Sequence, residues 1–529
     1  MSCPSRTPND FRSAEPSAQP DALRRSAKRL LLLVSLLVAP HAASAAPEGL
    51  PLLHLEDMVY EGAFRLPDDT FGISSLNYAE GPIAYDAESN SIFIVGHAYE
   101  QAIAEFSVPP LVLSATLADL NMAGAPDQTF ATVLDRTSGG NPQELDRIGG
   151  MAVIDVGAEG EFLLINAYEY YDAPADNSET TAVLQTPGDL AGSDVIGFHT
   201  FEGGAGHTSG WISPIPPEWQ ADLGGSHLTG QSSGLPIIGR LSVGPSAFAF
   251  DPTPFLSGTP GTVPTTRLLD FSLEHPLHPD LMNDSRENDL WTHMSRVVYG
   301  LIVPGTRTYA TFGHSGGHES GVCYKCVQTN GDGSECGGYC PRDANDYALY
   351  YWLWDVEDLL AVKNGEIESY DVRPYEYGVL PALFPTIELG GGAFDPTSGL
   401  LYLTLQRADS EQGTYSNPPV VVAYSFPVVS GLPDTAGSRS RIRSVPNPLG
   451  DSTTFEYSVA RERSRVALRI FDSGGRLVRE LIDAEQSEGP HSVNWTRRDE
   501  TGAEVPAGVY HVRLQVDGES THHKLIVLD

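Results

Sequence analysis

Hydrophobic and polar residues alternate with a period of two along much of the chain, most regularly in residues 444–529. Tyr510, Val512, Leu514 and Val516 are apolar, whereas the residues between them are polar. Successive side chains of a β-strand point to opposite faces, so this alternation predicts half-buried antiparallel strands. Several such strands in so short a segment predict a small immunoglobulin-like β-sandwich.

A looser unit, in which two apolar strands flank a turn, recurs through residues 58–430. In each copy an aspartate opens the turn: Asp86, Asp155, Asp251 and Asp395. Aspartate favours turns because its carboxylate accepts a hydrogen bond from a backbone N–H two residues on. Irregular copies over so long a segment predict an all-β, β-propeller-like body of about six to eight blades. A large irregular β-sandwich is the alternative.

The first residues have the pattern of a secretory signal peptide. A short apolar run at 30–38 follows four basic residues: Arg24, Arg25, Lys28 and Arg29. Ala43-Ser44-Ala45 then supplies a small-residue cleavage site. The apolar run is too short to span a bilayer comfortably. We therefore expect export, and a secreted or cell-surface location.

Shifts in composition divide the chain into five segments. They are a signal peptide (1–45), a lead-in (46–57), a β-propeller-like body (58–430) with a cysteine-rich loop at 313–345, a polar linker (431–443) and the C-terminal sandwich (444–529).

The charge of the chain is strongly negative, with a formal net charge of −37 at pH 7. The body contains only two lysines, Lys325 and Lys363. Such a surface repels phosphate backbones, which argues against nucleic acid as a partner. We expect an extracellular or surface ligand instead.

Four cysteines cluster in one loop with the spacing Cys-x2-Cys-x9-Cys-x3-Cys: Cys323, Cys326, Cys336 and Cys340. In an exported protein an even number of clustered cysteines favours two disulfides. Four thiolates at this spacing would also suit a tetrahedral zinc ion, which is the alternative. Asn330, Asp332 and Glu335 in the same loop match a calcium-binding loop weakly, and an ordinary polar turn is the other interpretation.

Several histidines follow glycine at predicted strand ends. They are His97, His207 and His314, with His318 four residues beyond the last. Nearby carboxylates are Glu80, Glu100 and Glu319. Strand ends of a propeller converge on its central channel, so these side chains are candidates for a metal or acid–base site. The alternative is that each histidine is a hydrogen-bonded loop residue.

The G-x-S-x-G pattern of a nucleophile elbow occurs twice, around Ser315 and around Ser232. An elbow needs a helix directly after the serine. The cysteine-rich loop follows Ser315 and a Leu-Pro pair follows the second copy. Both matches are therefore interpreted as chance.

The C-terminal segment also carries a specific set of motifs. They are Pro446-Asn-Pro448, Phe455-x-Tyr457, Phe471-Asp-Ser-Gly-Gly-Arg-Leu-Val-Arg479, Gly489-x-His491-x-Val493-x-Trp495, Gly502, Pro506-Ala-Gly-Val-Tyr510 and Lys524-Leu525. With these motifs the segment resembles the FlgD Ig-like domain and is similar to the sorting domains of type IX secretion, and the Pro-Ala-Gly-Val-Tyr element fits the FlgD version better. The resemblance implies contact with secretion or surface-attachment machinery through residues 444–529, and no chemistry.

The body resembles uncharacterised exported bacterial β-propeller-like proteins, a resemblance that implies no activity. The sequence as a whole favours an exported or cell-surface binding or scaffold protein. The alternative is a secreted metal-dependent hydrolase with a histidine and carboxylate site at the propeller mouth. Calcium or zinc is the cofactor that the candidate sites would take.

Overall fold

The computed structural model describes the chain from residue 49 onwards, with several gaps. The gaps are 158–159, 173–175, 233–241, 414, 427–441, 446–448, 451, 460, 462, 473–475, 488, 517–518 and 528–529. The predicted signal peptide and most of the predicted linker lie outside the described residues. In the part of the chain that is described, no helix is long and apolar enough to cross a membrane.

The described chain is nearly all-β, as predicted. The strands of the body are β1 (Val59–Arg65), β2 (Ile83–Asp86), β3 (Ser91–Val95), β4 (Ile103–Ser107), β5 (Gln128–Ala131), β6 (Arg147–Asp155), β7 (Glu161–Tyr168), β8 (Thr181–Leu184), β9 (Val195–Phe201), β10 (Ile212–Pro214), β11 (His227–Thr229), β12 (Ala247–Phe250), β13 (Thr262–Val263), β14 (Thr266–Leu269), β15 (Arg296–Ile302), β16 (Thr308–Gly316), β17 (Val322–Tyr324), β18 (Tyr339–Pro341), β19 (Tyr347–Asp355), β20 (Glu376–Val379), β21 (Leu389–Asp395), β22 (Leu400–Leu405) and β23 (Val420–Ser425). The α-helices are α1 (Ala205–Thr208), α2 (Pro217–Leu223) and α3 (Val356–Lys363), and short 3-10 helices occur at Leu55–Asp57, Leu117–Asp119, Leu134–Arg136 and Thr253–Ser257.

These strands form five main sheets and one hairpin. The strand orders are β2-β3-β4-β5, β6-β7-β8-β9 with β13 added beside β9, β10-β11-β12-β14, β15-β16-β19-β20, and β21-β22-β23-β1. Neighbouring strands are antiparallel except β13 and β9. The hairpin of β17 and β18 carries cysteines of the predicted cysteine-rich loop.

The first strand of the body completes its last sheet. β1 pairs with β23, which brings Val59 opposite Ser425 and Arg65 opposite Val420. Beside this pairing, Arg65 Nε and Nη2 donate to the two carboxylate oxygens of Asp409 at 2.7 and 2.9 Å. The two ends of the body are therefore held together by a ladder of main-chain bonds and a buried ion pair.

The first strands of the five sheets are neighbours in a ring. β2 contacts β6, β6 contacts β10, β10 contacts β15, β15 contacts β21, and β21 contacts β2 again. Glycine permits this approach, since a Cβ at Gly150 would lie 2.7 Å from Trp211 Cα and one at Gly391 would lie 2.8 Å from Pro82 Cα. Only a residue without a side chain fits at these positions. The sheets pack on one another through apolar clusters that include five buried tryptophans: Trp211, Trp219, Trp291, Trp352 and Trp354.

The structure describes five such sheets rather than the six to eight blades expected from the sequence. The number of blades stays a prediction, and long loops and the cysteine hairpin occupy much of residues 58–430 between the sheets. Each repeated aspartate does accept a hydrogen bond from the N–H two residues on, at 2.7–2.8 Å. Three of them connect the first and second strands of a sheet, whereas Asp251 follows β12, the third strand of its sheet.

The C-terminal domain is the predicted Ig-like sandwich. Its strands are β24 (Ile442–Val445), β25 (Thr453–Val459), β26 (Ser464–Asp472), β27 (Leu477–Gln486), β28 (Gly489–Trp495), β29 (Gly508–Val516) and β30 (Glu519–Val527). They form two sheets, β24-β25-β28 and β27-β26-β29-β30. Phe455 of one sheet and Leu514 of the other are fully buried in a shared core, which confirms the predicted alternation.

Substituting Gly150 tests the close approach of the first strands. We expect Gly150→Ala to destabilise the body by about 1–3 kcal/mol, because the new Cβ overlaps the backbone around Trp211. Urea unfolding followed by tryptophan fluorescence measures the effect. Gly188→Ala is the matched control, since nothing lies within 4 Å of its Cβ. Equal unfolding midpoints for the two variants would contradict the packing described here.

Candidate functional site

A cavity of about 480 Å³ opens at the end of the ring where the first strands finish. The polar part of its wall consists of Tyr85, Asp86, Glu88, Asp155, Glu161, His227 and Thr397. We call this the acidic cavity. Apolar residues of the first strands, including Met151, Ile212 and Tyr299, form the rest of the wall. The space along the ring closes beyond Tyr299, so the cavity is a pocket rather than a through-channel.

The charge of the acidic cavity is entirely negative at neutral pH. No lysine or arginine occurs among its described lining residues. Burial raises the pKa of Glu161, and the neighbouring carboxylates of Asp86 and Glu88 raise it further. Burial lowers the pKa of His227 to about 4, so this imidazole is neutral at pH 7. A cationic group that entered would relieve repulsion between these carboxylates.

Two of the four cavity carboxylates accept hydrogen bonds from their own turns, and two do not. Asp86 accepts from Glu88 N and Ser89 Oγ, and Asp155 accepts from Gly157 N. Within the described chain, the side chains of Glu88 and Glu161 make no hydrogen bond. These two carboxylates remain available to a ligand.

The opposite end of the ring, where the first strands begin, is narrow and polar. Only about 10 Å³ is open there, between Glu80, Gln231 and Arg296. Arg147 Nε lies 3.6 Å from Glu80 Oε2, and Arg296 Nη2 donates to the Tyr168 hydroxyl at 3.3 Å. Charged side chains therefore fill this mouth and leave room for little more than one water molecule.

Two of the predicted histidines each contact a carboxylate. His97 Nδ1 lies 2.9 Å from Glu100 Oε2, and its ring packs between Tyr78 and Tyr99. His207, in the short helix α1, has its Nδ1 2.6 Å from Asp270 Oδ1.

The other two predicted histidines lie on or just after β16. His314 is opposite Arg296 in the sheet, and its pKa is lowered to about 3, first by burial and then by the charge of Arg296. His318 Nε2 lies 2.7 Å from Ser315 Oγ, and its Nδ1 lies 2.9 Å from the Asn288 carbonyl oxygen. Burial lowers the pKa of His318 as well.

The described residues do not bring His97, His207 and His314 into one set of ligand atoms. Glu80 lies at the narrow mouth with Arg147, and Glu319 is exposed with its N–H bound to Asp346. Ser315 is 1% exposed within β16, where its hydroxyl also contacts Ser295. It is a buried strand residue and not an exposed nucleophile.

The four cysteines lie together on the hairpin. Cys323 and Cys326 are at disulfide-bonding distance, as are Cys336 and Cys340. Cys323 faces Cys340 across the hairpin, with 3.7 Å between their sulfurs. The sulfurs of Cys323, Cys326 and Cys340 lie within 4.8 Å of one another, so the reduced thiolates would also fit a zinc ion.

The weak calcium candidates in this loop serve local turns. Asn330 Nδ2 donates to Asp343 at 2.9 and 3.1 Å, and Asp332 Oδ1 accepts from Ser334 N at 2.8 Å. Glu335 pairs with Val327 through a backbone bridge. In the described part of the chain, Asp332 and Glu335 belong to no group of three His, Cys, Asp or Glu side chains that could hold a metal ion.

The acidic cavity was not predicted from the sequence, although the residues that form it follow a recognisable pattern. Asp86, Asp155 and Asp395 open the first turn of three repeats, and first turns meet at one end of a ring of sheets. Glu88 and Glu161 flank two of those turns. The histidines of the glycine–histidine pairs, which the sequence offers as candidates, lie at the opposite end of the ring.

Comparison with known families identifies the C-terminal domain. Residues 447–520 match the family model of the FlgD Ig-like domain. The match covers this domain alone. It agrees with the two-sheet sandwich described above and with the motifs between Phe455 and Tyr510. A search of curated proteins finds no match to the chain.

Comparison with solved structures gives distant alignments. PorZ, an essential bacterial surface component of the type IX secretion system of Porphyromonas gingivalis, is 13% identical with a TM-score of 0.29, over 87% of this chain and 53% of PorZ. PorU of the same organism is 15% identical with a TM-score of 0.16, over 72% of this chain and 29% of PorU. FlgD of P. aeruginosa is 18% identical with a TM-score of 0.13, over 17% of this chain and 77% of FlgD. The chain spans about half the length of PorZ.

The state of the cysteines can be measured directly. We expect the purified chain from residue 46 onwards to show no free thiols when denatured, and four after reduction, because exported clustered cysteines oxidise. Peptide mapping should recover Cys323 linked to Cys326 and Cys336 linked to Cys340. Four reactive thiols accompanied by one zinc ion per chain would show instead that the sulfurs hold a metal.

Proposed function

We propose that this protein is an exported binding or scaffold protein of the cell surface or extracellular space. Its body binds a cationic group in the acidic cavity, and its FlgD-type Ig-like domain attaches it to secretion or surface machinery. The observation that carries the proposal is a ligand-sized cavity with four carboxylates and no lysine or arginine in its described wall. Export is supported by the signal pattern in residues 1–45.

We further propose that the body is a five-bladed β-propeller in which each main sheet is one blade. The ring of first strands and the completion of the last sheet by β1 support this architecture. A repeated irregularity supports it too, because β6, β15 and β21 each carry a β-bulge near their beginning. In such a propeller the acidic cavity lies at one end of the central channel.

The class of ligand follows from the composition of the cavity wall. A volume of about 480 Å³ is within the range of small-molecule pockets, roughly 300–1,000 Å³. Apolar walls next to unpaired carboxylates suit an organic amine or a basic side chain. A divalent ion is less suited, because the carboxylates in the described wall do not form a preorganised group of three ligands.

The hydrolase alternative has less support. His97, His207 and His318 are each hydrogen-bonded or ion-paired to a local partner, and the low pKa of His314 makes it a weak base. A general base works best with a pKa near the operating pH.

Binding of spermidine, measured by calorimetry, tests the acidic cavity. We expect Glu88→Gln with Glu161→Gln to weaken binding about tenfold, because the two available carboxylates are lost. Binding should also weaken as the pH falls through the raised pKa of Glu161, since only the ionised carboxylate attracts a cation. Glu335→Gln with Glu366→Gln is the matched control, because it removes the same charge from exposed positions outside the cavity. Equal weakening by both double variants would refute a specific site.

Removal of the Ig-like domain tests attachment. A chain ending at residue 441 should still cross the inner membrane but should be lost from the cell surface, because the proposed attachment module is absent. Surface proteolysis and cell fractionation report its location, and thermal unfolding shows whether the shortened chain is folded. Unchanged surface display of a folded, shortened chain would exclude an attachment role for this domain.

A further inference from the structure

Five exposed tyrosines lie on three adjacent sheets at the narrow end of the ring, opposite the acidic cavity. Their exposed fractions are 49% for Tyr78, 85% for Tyr99, 47% for Tyr170, 63% for Tyr171 and 87% for Tyr415. We call them the tyrosine rim. Tyr78 precedes the first strand β2, and the others lie between second and third strands of their sheets. In antiparallel sheets these connections all lie at the end where first strands begin.

The loops that carry the tyrosine rim are joined by direct contacts. Tyr78 N donates to Asn417 Oδ1 at 3.2 Å, which links the Tyr78 loop to the loop of Tyr415. The ring of His97 lies 5.9 Å from that of Tyr78 and 5.3 Å from that of Tyr99, measured between centroids. Three of the loops therefore meet around His97 and Asn417.

The remaining loop is held to the same surface by hydrogen bonds. Gln101 Oε1 accepts from Ile148 N at 2.7 Å, which links the Tyr99 loop to β6. Asp146, just before β6, accepts from Tyr170 N at 2.7 Å. The tyrosine rim is therefore one continuous, braced surface. Aromatic side chains with few rotatable bonds on braced loops lose little entropy on binding.

Exposed charges around the rim are predominantly acidic. The exposed fractions of the side chains are 38% for Glu80, 41% for Glu100 and 51% for Asp146. Arg147 is 18% exposed and lies beside Glu80 and Asp146, whereas Arg407 is 55% exposed and lies 3.8 Å from Glu388. Glu80, Glu100 and Asp146 are each paired within the chain, but Glu144, Asp176 and Glu179 are exposed on the same loops. The rim thus combines aromatic faces with an excess of carboxylates.

Arg147 shows that this surface can bind a guanidinium group. The Arg147 guanidinium lies 5.2 Å from the centre of the Tyr170 ring. The same guanidinium is 3.6 Å from Glu80 and 3.3 Å from Asp146. An aromatic face and two carboxylates therefore hold a cation at this site, which is a favourable arrangement for arginine and lysine.

We propose that the tyrosine rim is a docking surface for an arginine- and lysine-bearing segment of a partner protein. Charge complementarity selects this occupant over a neutral carbohydrate, which would also stack on tyrosine but would gain nothing from the carboxylates. The surface is distinct from the acidic cavity, so it is a second site beyond the function proposed above.

The probe is a fluorescein-labelled peptide of twelve residues in which arginine alternates with serine, followed by fluorescence anisotropy in 0.15 M NaCl. We expect the triple variant Tyr99→Ala, Tyr171→Ala, Tyr415→Ala to bind it about tenfold more weakly than the unmodified protein. Leu256→Ala should bind within twofold of the unmodified protein, because Leu256 is 39% exposed between the third and fourth strands of its sheet, at the opposite end of the ring. None of these changes alters the charge, so unspecific attraction to an acidic protein stays constant.

The other outcomes overturn the proposal. Equal affinity of the triple variant and the unmodified protein would show that the tyrosines do not contact the peptide. Loss of peptide binding in the Glu88→Gln, Glu161→Gln variant alone would place the peptide in the acidic cavity. Binding of cellohexaose in place of the peptide, lost in the triple variant, would identify the rim as a carbohydrate site. Circular dichroism of each variant verifies that it is folded.

Discussion

The close approach of the five first strands is the constraint on which the rest of the body depends. At Gly150 and Gly391 the backbone of one sheet lies where the side chain of the next would be, so neighbouring sheets can meet only through glycine. The buried tryptophans and aliphatic residues pack between the sheets. Pairing of β1 with β23, braced by Arg65 and Asp409, closes the arrangement with strands from both ends of the body.

This arrangement gives the two ends of the ring different chemistry. First turns, opened by aspartate in three sheets, gather carboxylates around the acidic cavity. The longer connections between second and third strands lie at the other end, and those of three adjacent sheets carry exposed tyrosines of the rim. Both ends offer negative charge, in keeping with the net charge of −37. We infer that a cation suits both, bound within a cavity at one end and on an open surface at the other.

The alternation of apolar and polar residues predicted the structure correctly where a strand pairs with the strand next to it in the sequence. The alternation around Val512 and Leu514 predicted the C-terminal sandwich, because a period of two reports directly which face is buried. The turn aspartates were also recognisable, since each bonds to its own loop. The number of sheets was harder to predict, because insertions such as the cysteine hairpin lengthen some repeats and because Asp251 follows a third strand rather than a first.

The sequence alone was sufficient for the all-β class, the export signal pattern, the C-terminal Ig-like domain and the clustering of cysteines in one loop. These features depend on contacts between residues near one another in the chain, which periodicity and spacing report. Only the tertiary structure decided which side chains meet across sheets. His97, His207 and His314 share a sequence motif yet have different partners, whereas Glu88 and Glu161 share none and line one cavity. The distance between such residues is set by how whole sheets pack around the ring, and no local pattern encodes it.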